Sequence, residues 1–430
     1  MTSRRTGLTI SPFRALRYAD GADQPALADL LCPPYDVISP DLRARLAESN
    51  PHNAVHVVLP AGPAEGPGNR YERAAADLSA WQADGTLVRD AEPGLYGYEM
   101  SGYELSDGES RTRGLLALVD LHPPEDDVIL PHESTMAGPV ADRLALMEAT
   151  HADLEPIYLV YAGSGTLAAE LDRLTADPAS ALVADAVTDD GIRHRVWRIT
   201  DADAIAAAAD ELATRRAVIA DGHHRYATYL EYQAARHDAG AGAGGWDRGL
   251  ALLVDATSSG PHVEATHRVI PGLPLVEAVD RLRGVAAITP VDAGTEPLLA
   301  ALRRQGAAGT AFALTDGTTA YLLTNLDTAA MDAAVPADHS AAWRSLDVTV
   351  AHHFLIRDRW GLRDHEDIVG FEHDLGAAIR AAAGGTVLAL NPTPVAAVAE
   401  VADAGDRMPR KSTLFTPKPR TGLVFRPIDQ

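Results

Sequence analysis

An apolar run, Ala217-Val218-Ile219-Ala220, stops at Asp221-Gly222 and gives way to His223-His224-Arg225-Tyr226, where a helix from about His224 to His237 is expected. A strand that turns into a helix through one glycine fits a mixed fold, α/β or α+β. Glycine permits positive φ and a close approach of other groups. The first turn of a helix also leaves backbone N–H groups without intrahelical acceptors. Those donors and the helix dipole together favour an anion at the entrance. His223, His224 and Arg225 add side-chain donors, and an arginine fork suits phosphate. The competing reading is plainer: Asp221 caps the helix and Arg225 is solvated.

The 430 residues allow two or three domains. With 46% hydrophobic and 23% charged residues, the chain has the composition of a folded protein. Acidic residues outnumber basic ones by 60 to 37, a formal charge of −23. Such a field repels nucleic acid and anionic membrane, so neither is expected as a partner, and an anionic substrate needs a locally positive pocket. One cysteine, Cys32, excludes an intrachain disulfide and reads as a buried inert thiol. Met1 to Asp20 has no apolar run suited to a signal peptide, and no stretch approaches a membrane span. A cytoplasmic location is expected, and a homodimer is compatible with the sequence.

Residues 1–114 read as an N-terminal α+β region with a strand at 53–59, a helix at 71–84, and strands at 95–105 and 113–121 paired across Ser106-Asp107-Gly108. Residues 115–272 read as a phosphate-binding core. It contains Val128-Ile129-Leu130, a helix at about 141–150, a strand at 157–161, the motif turn, and strands at 250–254 and 263–270 completing one sheet. Residues 273–430 read as a C-terminal α+β region.

A second constellation is His132-Glu133-Ser134-Thr135, followed by Arg143. A carboxylate delivered by a strand to a loop beside an anion site suits a general base on a hydroxyl. A loop with only local hydrogen bonds is the alternative. Adjacent side chains diverge, so His223-His224 and His352-His353 are poor joint zinc ligands, and no metal-binding residues are assigned. The only lysines, Lys411 and Lys418, fall within one stretch, Met408 to Lys418. A compact ammonium suits phosphate or carboxylate, which marks Lys411, Ser412 and Lys418 as candidates. Pro33-Pro34-Tyr35-Asp36 reads either as a rigid turn or as a substrate wall.

Pro12 to Tyr18, Pro33 to Ile38, His132 to Thr135, Asp221 to Tyr226 and Met408 to Gly422 resemble a bacterial domain-of-unknown-function family over nearly the whole chain. More distantly, His132-Glu133-Ser134-Thr135, Arg143-Leu144, Pro156-Ile157 and Asp221-Gly222-His223-His224-Arg225-Tyr226 are similar in order to motifs of free serine kinases of the ParB/sulfiredoxin superfamily. That resemblance implies a ParB/sulfiredoxin-like mixed-sheet core with N- and C-terminal extensions, and 158–216 as an insertion. It implies a phosphotransferase working between ATP or ADP and a small hydroxy amino acid, with Mg2+ expected. Carried over, Glu133 is the base, with His132 and Asp221 as further catalytic candidates and Asp221 an indirect magnesium ligand. Gly222, His223, His224, Arg225, Arg143 and Thr135 would hold phosphate or nucleotide. Sulfiredoxin chemistry needs a cysteine in the turn, and this turn has none. A phosphatase using the same site, a non-catalytic nucleotide-binding switch and a metal hydrolase are the rival readings.

Overall fold

The computed structural model describes residues 7–20, 25–105, 108–176, 181–258, 260–363, 365 and 367–428. The chain forms two compact units, Met1–Pro261 with Pro417–Gln430, and His262–Thr416. Among the described residues no helix is long and apolar enough to cross a membrane.

The first unit is a mixed α/β structure around a nine-stranded sheet. Its strands are β1 (Ile10–Ser11), β2 (Leu95–Leu105), β3 (Gly108–Asp120), β4 (Ile129–Pro131), β5 (Ile157–Tyr161), β6 (Leu182–Val187), β7 (Arg193–Ile199), β8 (Ala217–Asp221) and β9 (Arg248–Asp255). The order is β4-β8-β5-β9-β3-β2-β7-β6, with β1 on β3. Pairings β4–β8 and β5–β9 are parallel and the others antiparallel. The helices that matter for the site are α1 (Pro40–Ser49), α2 (Arg70–Ala83), α3 (Ala137–Thr150), α4 (Thr166–Ala176), α5 (Ala202–Leu212) and α6 (His223–Asp238).

Side chains alternate across a sheet, so every second residue of a strand feeds the same core. Leu115, Ala117, Val119, Leu159, Ala251 and Leu253 pack with Leu171 of α4, Leu212 of α5 and Tyr226 and Tyr229 of α6. A second cluster joins Leu16, Cys32, Val55, Trp81, Leu146 and Phe425. Cys32 is fully buried, and burial pushes its thiol well up, as expected of an inert cysteine.

Several sequence expectations change. β3 runs through residue 114, the expected domain boundary, because it pairs with β2 on one side and β9 on the other. The stretch 158–216 supplies β6 and β7, which extend the sheet beyond β2. The strand expected at 53–59 is a helical turn, Val55–Val58. Asn53 fixes it by accepting from the Val55 N–H (2.9 Å) and donating to the carbonyls of Asp29 and Leu31. Of the turn expected at 106–108, Ser106 and Asp107 lie outside the described residues.

The second unit has a six-stranded sheet, labelled β10 (His267–Ile270), β11 (Ala287–Val291), β12 (Phe312–Thr315), β13 (Ala320–Thr324), β14 (Gly370–Glu372) and β15 (Thr386–Ala389), in the order β11-β13-β12-β15-β10-β14. β10 was expected to complete the same sheet as β9. It pairs instead with β14 and β15, because partners far along the chain, not local pattern, decide which sheet a strand joins. His352 and His353 lie on a helical stretch, Ala351–Arg359, wound as a π-helix.

Candidate functional site at the entrance of helix α6

β8 is buried along its length and lies parallel to β4, with Ala217, Val218 and Ile219 opposite Ile129, Leu130 and Pro131. Parallel neighbours end on the same side of a sheet. The segments that leave them, His132 to Met136 and Gly222 to Arg225, therefore meet. That is the place where open α/β sheets hold ligands, beyond the carboxyl ends of parallel strands.

Gly222 has φ +93° and caps α6 without any side-chain hydrogen bond. A Cβ there would lie 3.1 Å from the Arg225 guanidinium, which folds back over the glycine. With no cap, the first-turn N–H groups of this 16-residue helix remain directed at the space before it.

The two histidines bind the opposing loop. His223 Nε2 accepts from the N–H groups of His132 (3.2 Å) and Glu133 (3.3 Å), and His224 Nε2 accepts from Met136 N–H (3.1 Å). An Nε2 that accepts leaves the neutral ring's proton on Nδ1. His223 Nδ1 lies 3.9 Å from Glu133 Oε2. His132 Nε2 is 4.0 Å from Glu133 Oε1, and its ring meets that of His223 edge to face at 4.5 Å. Burial, with Arg225 adding to it, lowers the pKa of His224, which favours the neutral ring that its acceptor role requires.

Asp221 is held by two cations. Arg225 Nη2 donates to Oδ2 (2.6 Å) and Lys418 Nζ to Oδ1 (2.5 Å). Lys418 also lies 3.6 Å from Asp36 Oδ2, in the turn after the double proline. Desolvation opposes the charge on Lys418, but Asp221 and Asp36 outweigh it and raise its pKa. Arg225 is likewise buried, and Glu155, Asp221 and Asp36 overcome its desolvation. Its Nη1 donates to the Pro156 carbonyl, while Nε is a buried donor without a protein acceptor. Glu155 Oε1 accepts from Tyr35 N–H (3.0 Å) and the Thr421 hydroxyl (2.9 Å). Arg143 stacks on the Tyr35 ring at 4.2 Å and pairs with Asp142, whose carboxyl it holds below the usual range despite burial. Desolvation raises the Tyr35 phenol to about 12, against the pull of Arg225 and Arg143.

Glu133, His132, Asp221, Gly222, His223, His224, Arg225 and Lys418 thus gather at one helix entrance. Thr135 lies exposed on the same loop. Arg143 is buried and engaged with Asp142, Tyr35 and the Val58 carbonyl. Lys411 and Ser412 belong to the second unit, where the Lys411 carbonyl accepts from Arg268 (3.0 Å) and the Ser412 hydroxyl donates to Pro409 O (2.6 Å). Tyr35 and Asp36 belong to the double-proline turn, which the sequence leaves open between a rigid turn and a substrate wall, while Glu155 gives no signal in the sequence. The pattern Pro417-Lys418-Pro419, a cation fixed between two prolines, was the available signal for a partner such as Asp36.

Among the described residues no group of three or more His, Cys, Asp or Glu is arranged to hold a metal ion. Both oxygens of Asp221 are taken by cations, so Asp221 does not fit a direct magnesium ligand in this arrangement.

The mixed sheet and its strand-turn-helix junction define this chain as an α/β protein. It belongs to the family described as "Protein of unknown function (DUF1015)", whose model matches residues 10–349. No curated protein matches the chain. Among solved structures it is similar to free serine kinase in complex with AMP, at 14% identity over 73% of this chain and 91% of that one, with a TM-score of 0.33. A mutant of free serine kinase in complex with ADP gives 14% identity over 73% and 92%, with a TM-score of 0.34. SbnI with C-terminal truncation from Staphylococcus aureus gives 12% over 72% and 87%, with a TM-score of 0.33. Likeness at this level carries no weight for chemistry, which rests on the site's own geometry.

Proposed function

We propose that this protein is a phosphotransferase that moves a phosphoryl group between a nucleotide and the hydroxyl of a small amino acid, serine first. The observation that supports this reading most is the placement of Glu133. Its carboxylate lies 3.9 Å from His223 Nδ1, at the mouth of an uncapped helix whose N–H groups suit phosphate. The choice of ATP or ADP and of serine comes from the motif resemblance set out above.

In this reading the acceptor hydroxyl sits beside Glu133 and gives it the proton as the new O–P bond forms. The bond from phosphorus to the nucleotide's bridging oxygen breaks, and the electron pair leaves with the nucleotide. Such transfer depends on in-line positioning and on neutralising charge. First-turn N–H groups of α6 bind the phosphates, and Lys418 turns from Asp221 and Asp36 toward them. Arg225, locked by Asp221 and Pro156, keeps the turn in shape. Any magnesium arrives on the phosphates and not in a protein cage.

The test is a screen of amino acids against ATP, ADP and pyrophosphate, followed by phosphorus NMR. Serine with one of the donors is expected to give a phosphomonoester resonance. Nucleotide-dependent thermal stabilisation without product from any amino acid would replace the enzyme with a nucleotide-binding switch.

A further inference from the structure

The turn at Tyr35-Asp36 borders the α6 entrance, and the proposed reaction gives it no task. The double proline and a short 3-10 turn, Tyr35–Val37, set its backbone. Glu155 accepts from the Tyr35 N–H (3.0 Å), and the Arg143 guanidinium lies on the Tyr35 ring. Ser39 then caps α1, accepting from the Leu42 N–H (3.2 Å). Asp36 stands between these anchors with its side chain 39% exposed. Its charge acts on His224 and Arg225, which puts it at the helix entrance. Among the described residues its carboxylate accepts no hydrogen bond.

The cation beside it is shared. Lys418 Nζ bonds Asp221 Oδ1 (2.5 Å) and lies 3.6 Å from Asp36 Oδ2. A single primary ammonium thus fills the gap between two carboxylates carried by different segments. Arg225 offsets one of the two negative charges and Lys418 the other. Lys418 sits on a flexible four-carbon stem and leaves its place when it turns to the phosphates. The two carboxylates are then short of one cation, and for the buried Asp221 that is costly. A replacement must be compact, singly charged and rich in donors, as the α-ammonium of an amino acid is.

We infer that Asp36 and Asp221 form a receptor for the α-ammonium of the amino-acid substrate, which Lys418 fills in the free protein and vacates when nucleotide phosphates draw it away. The receptor deepens the phosphotransferase reading and rests on it for the movement of Lys418. It adds an order of binding, nucleotide first and amino acid second. It also adds a selection, since a hydroxy acid without the amino group leaves both carboxylates uncompensated.

The experiment is calorimetric titration of the full chain, in EDTA, with L-alanine and with propanoate. L-Alanine keeps the ammonium and has no hydroxyl to phosphorylate, and propanoate lacks both. L-Alanine is expected to bind at least about tenfold more tightly with saturating ADP than without it, a gain of about 1.4 kcal/mol, and propanoate to show no such gain. Lys418→Met is expected to bind L-alanine without ADP as tightly as the parent does with it. Asp36→Asn, a change at a partly exposed carboxylate, is expected to weaken L-alanine binding in the presence of ADP by about tenfold or more. It decides the matter if Lys418→Met does not fold. No saturable binding of L-alanine to the parent with ADP or to Lys418→Met, an equal gain for propanoate, binding that requires Mg2+, or undiminished binding by Asp36→Asn would each overturn the receptor. Binding to Lys418→Met with no response of the parent to ADP would keep the receptor and count against the phosphate role of Lys418 in the phosphotransferase reading.

Discussion

Lys418 Nζ lies 2.5 Å from Asp221 Oδ1, joining residues 197 positions apart at the point where β8 becomes α6. Arg225 takes the other oxygen of the same carboxylate. The motif turn is thus closed by a segment from the far end of the chain, and the lysine is parked on an acid beside the helix entrance.

Removing that lysine should weaken the fold of the first unit. Lys418→Met leaves Asp221 and Asp36 with less compensation in a largely buried setting, where breaking a pair costs about 3–5 kcal/mol at full burial. Partial exposure of Asp36 brings the expected loss to about 2–3 kcal/mol. Urea unfolding followed by a probe in the first unit measures it, and an unchanged midpoint would dismiss the pair as a stabilising contact.

Gly222→Ala meets two obstacles at once. At φ +93° an L-residue is strained by about 1–3 kcal/mol, and the new methyl presses on the Arg225 guanidinium at 3.1 Å. A drop in melting temperature, with weaker nucleotide-induced stabilisation, is expected. Gly222→Ala with unaltered melting and nucleotide response would mean the turn tolerates a side chain.

The histidine tether is accessible to hydrogen exchange. His223→Ala deprives the N–H groups of His132 and Glu133 of their acceptor, and His224→Ala does the same for Met136. Each variant should speed exchange at its own amides by about tenfold or more, in keeping with a lost hydrogen bond of about 1–1.5 kcal/mol. Uniform exchange in both variants and the parent would show that the loop is held by other contacts.

Much of this site was legible in the sequence, for physical reasons that differ by residue. The apolar run before Gly222 and the helical spacing after it follow local rules, and the structure has β8 and α6 within a residue or so of the expected bounds. That Glu133 faces this turn was implied only by resemblance, because the pairing of β4 with β8 spans far more chain than any local pattern reports. The stretch 53–59 misled because a short apolar run is common to strands and buried helical turns, and the deciding contacts come from Asn53 and the carbonyls of Asp29 and Leu31. The pairing of Asp36 with Lys418 was not legible because the two residues are distant in sequence.

Acid sensitivity follows from His194. Burial first, and Arg420 second, lower its pKa to about 4, against about 6.5 in an unfolded chain. Between those values the unfolded state binds a proton that the native state refuses. Stability from this group is therefore complete above about pH 6.5 and is lost as the pH falls toward 4, up to about 3 kcal/mol in all. Urea midpoints should fall from pH 7 to pH 5, with a shallower fall in His194→Gln. A parallel fall in both proteins would assign the acid sensitivity to other groups.

The central claim is that Glu133 takes a hydroxyl proton at the entrance of α6. Its side chain is 43% exposed, so Glu133→Gln should fold and melt like the parent. Phosphorus NMR of parent and variant with nucleotide and serine is the most direct measurement. The account predicts phosphoserine from the parent and a rate lower by about 10²–10⁴ in Glu133→Gln, with nucleotide binding retained. Full turnover by the glutamine variant would contradict it.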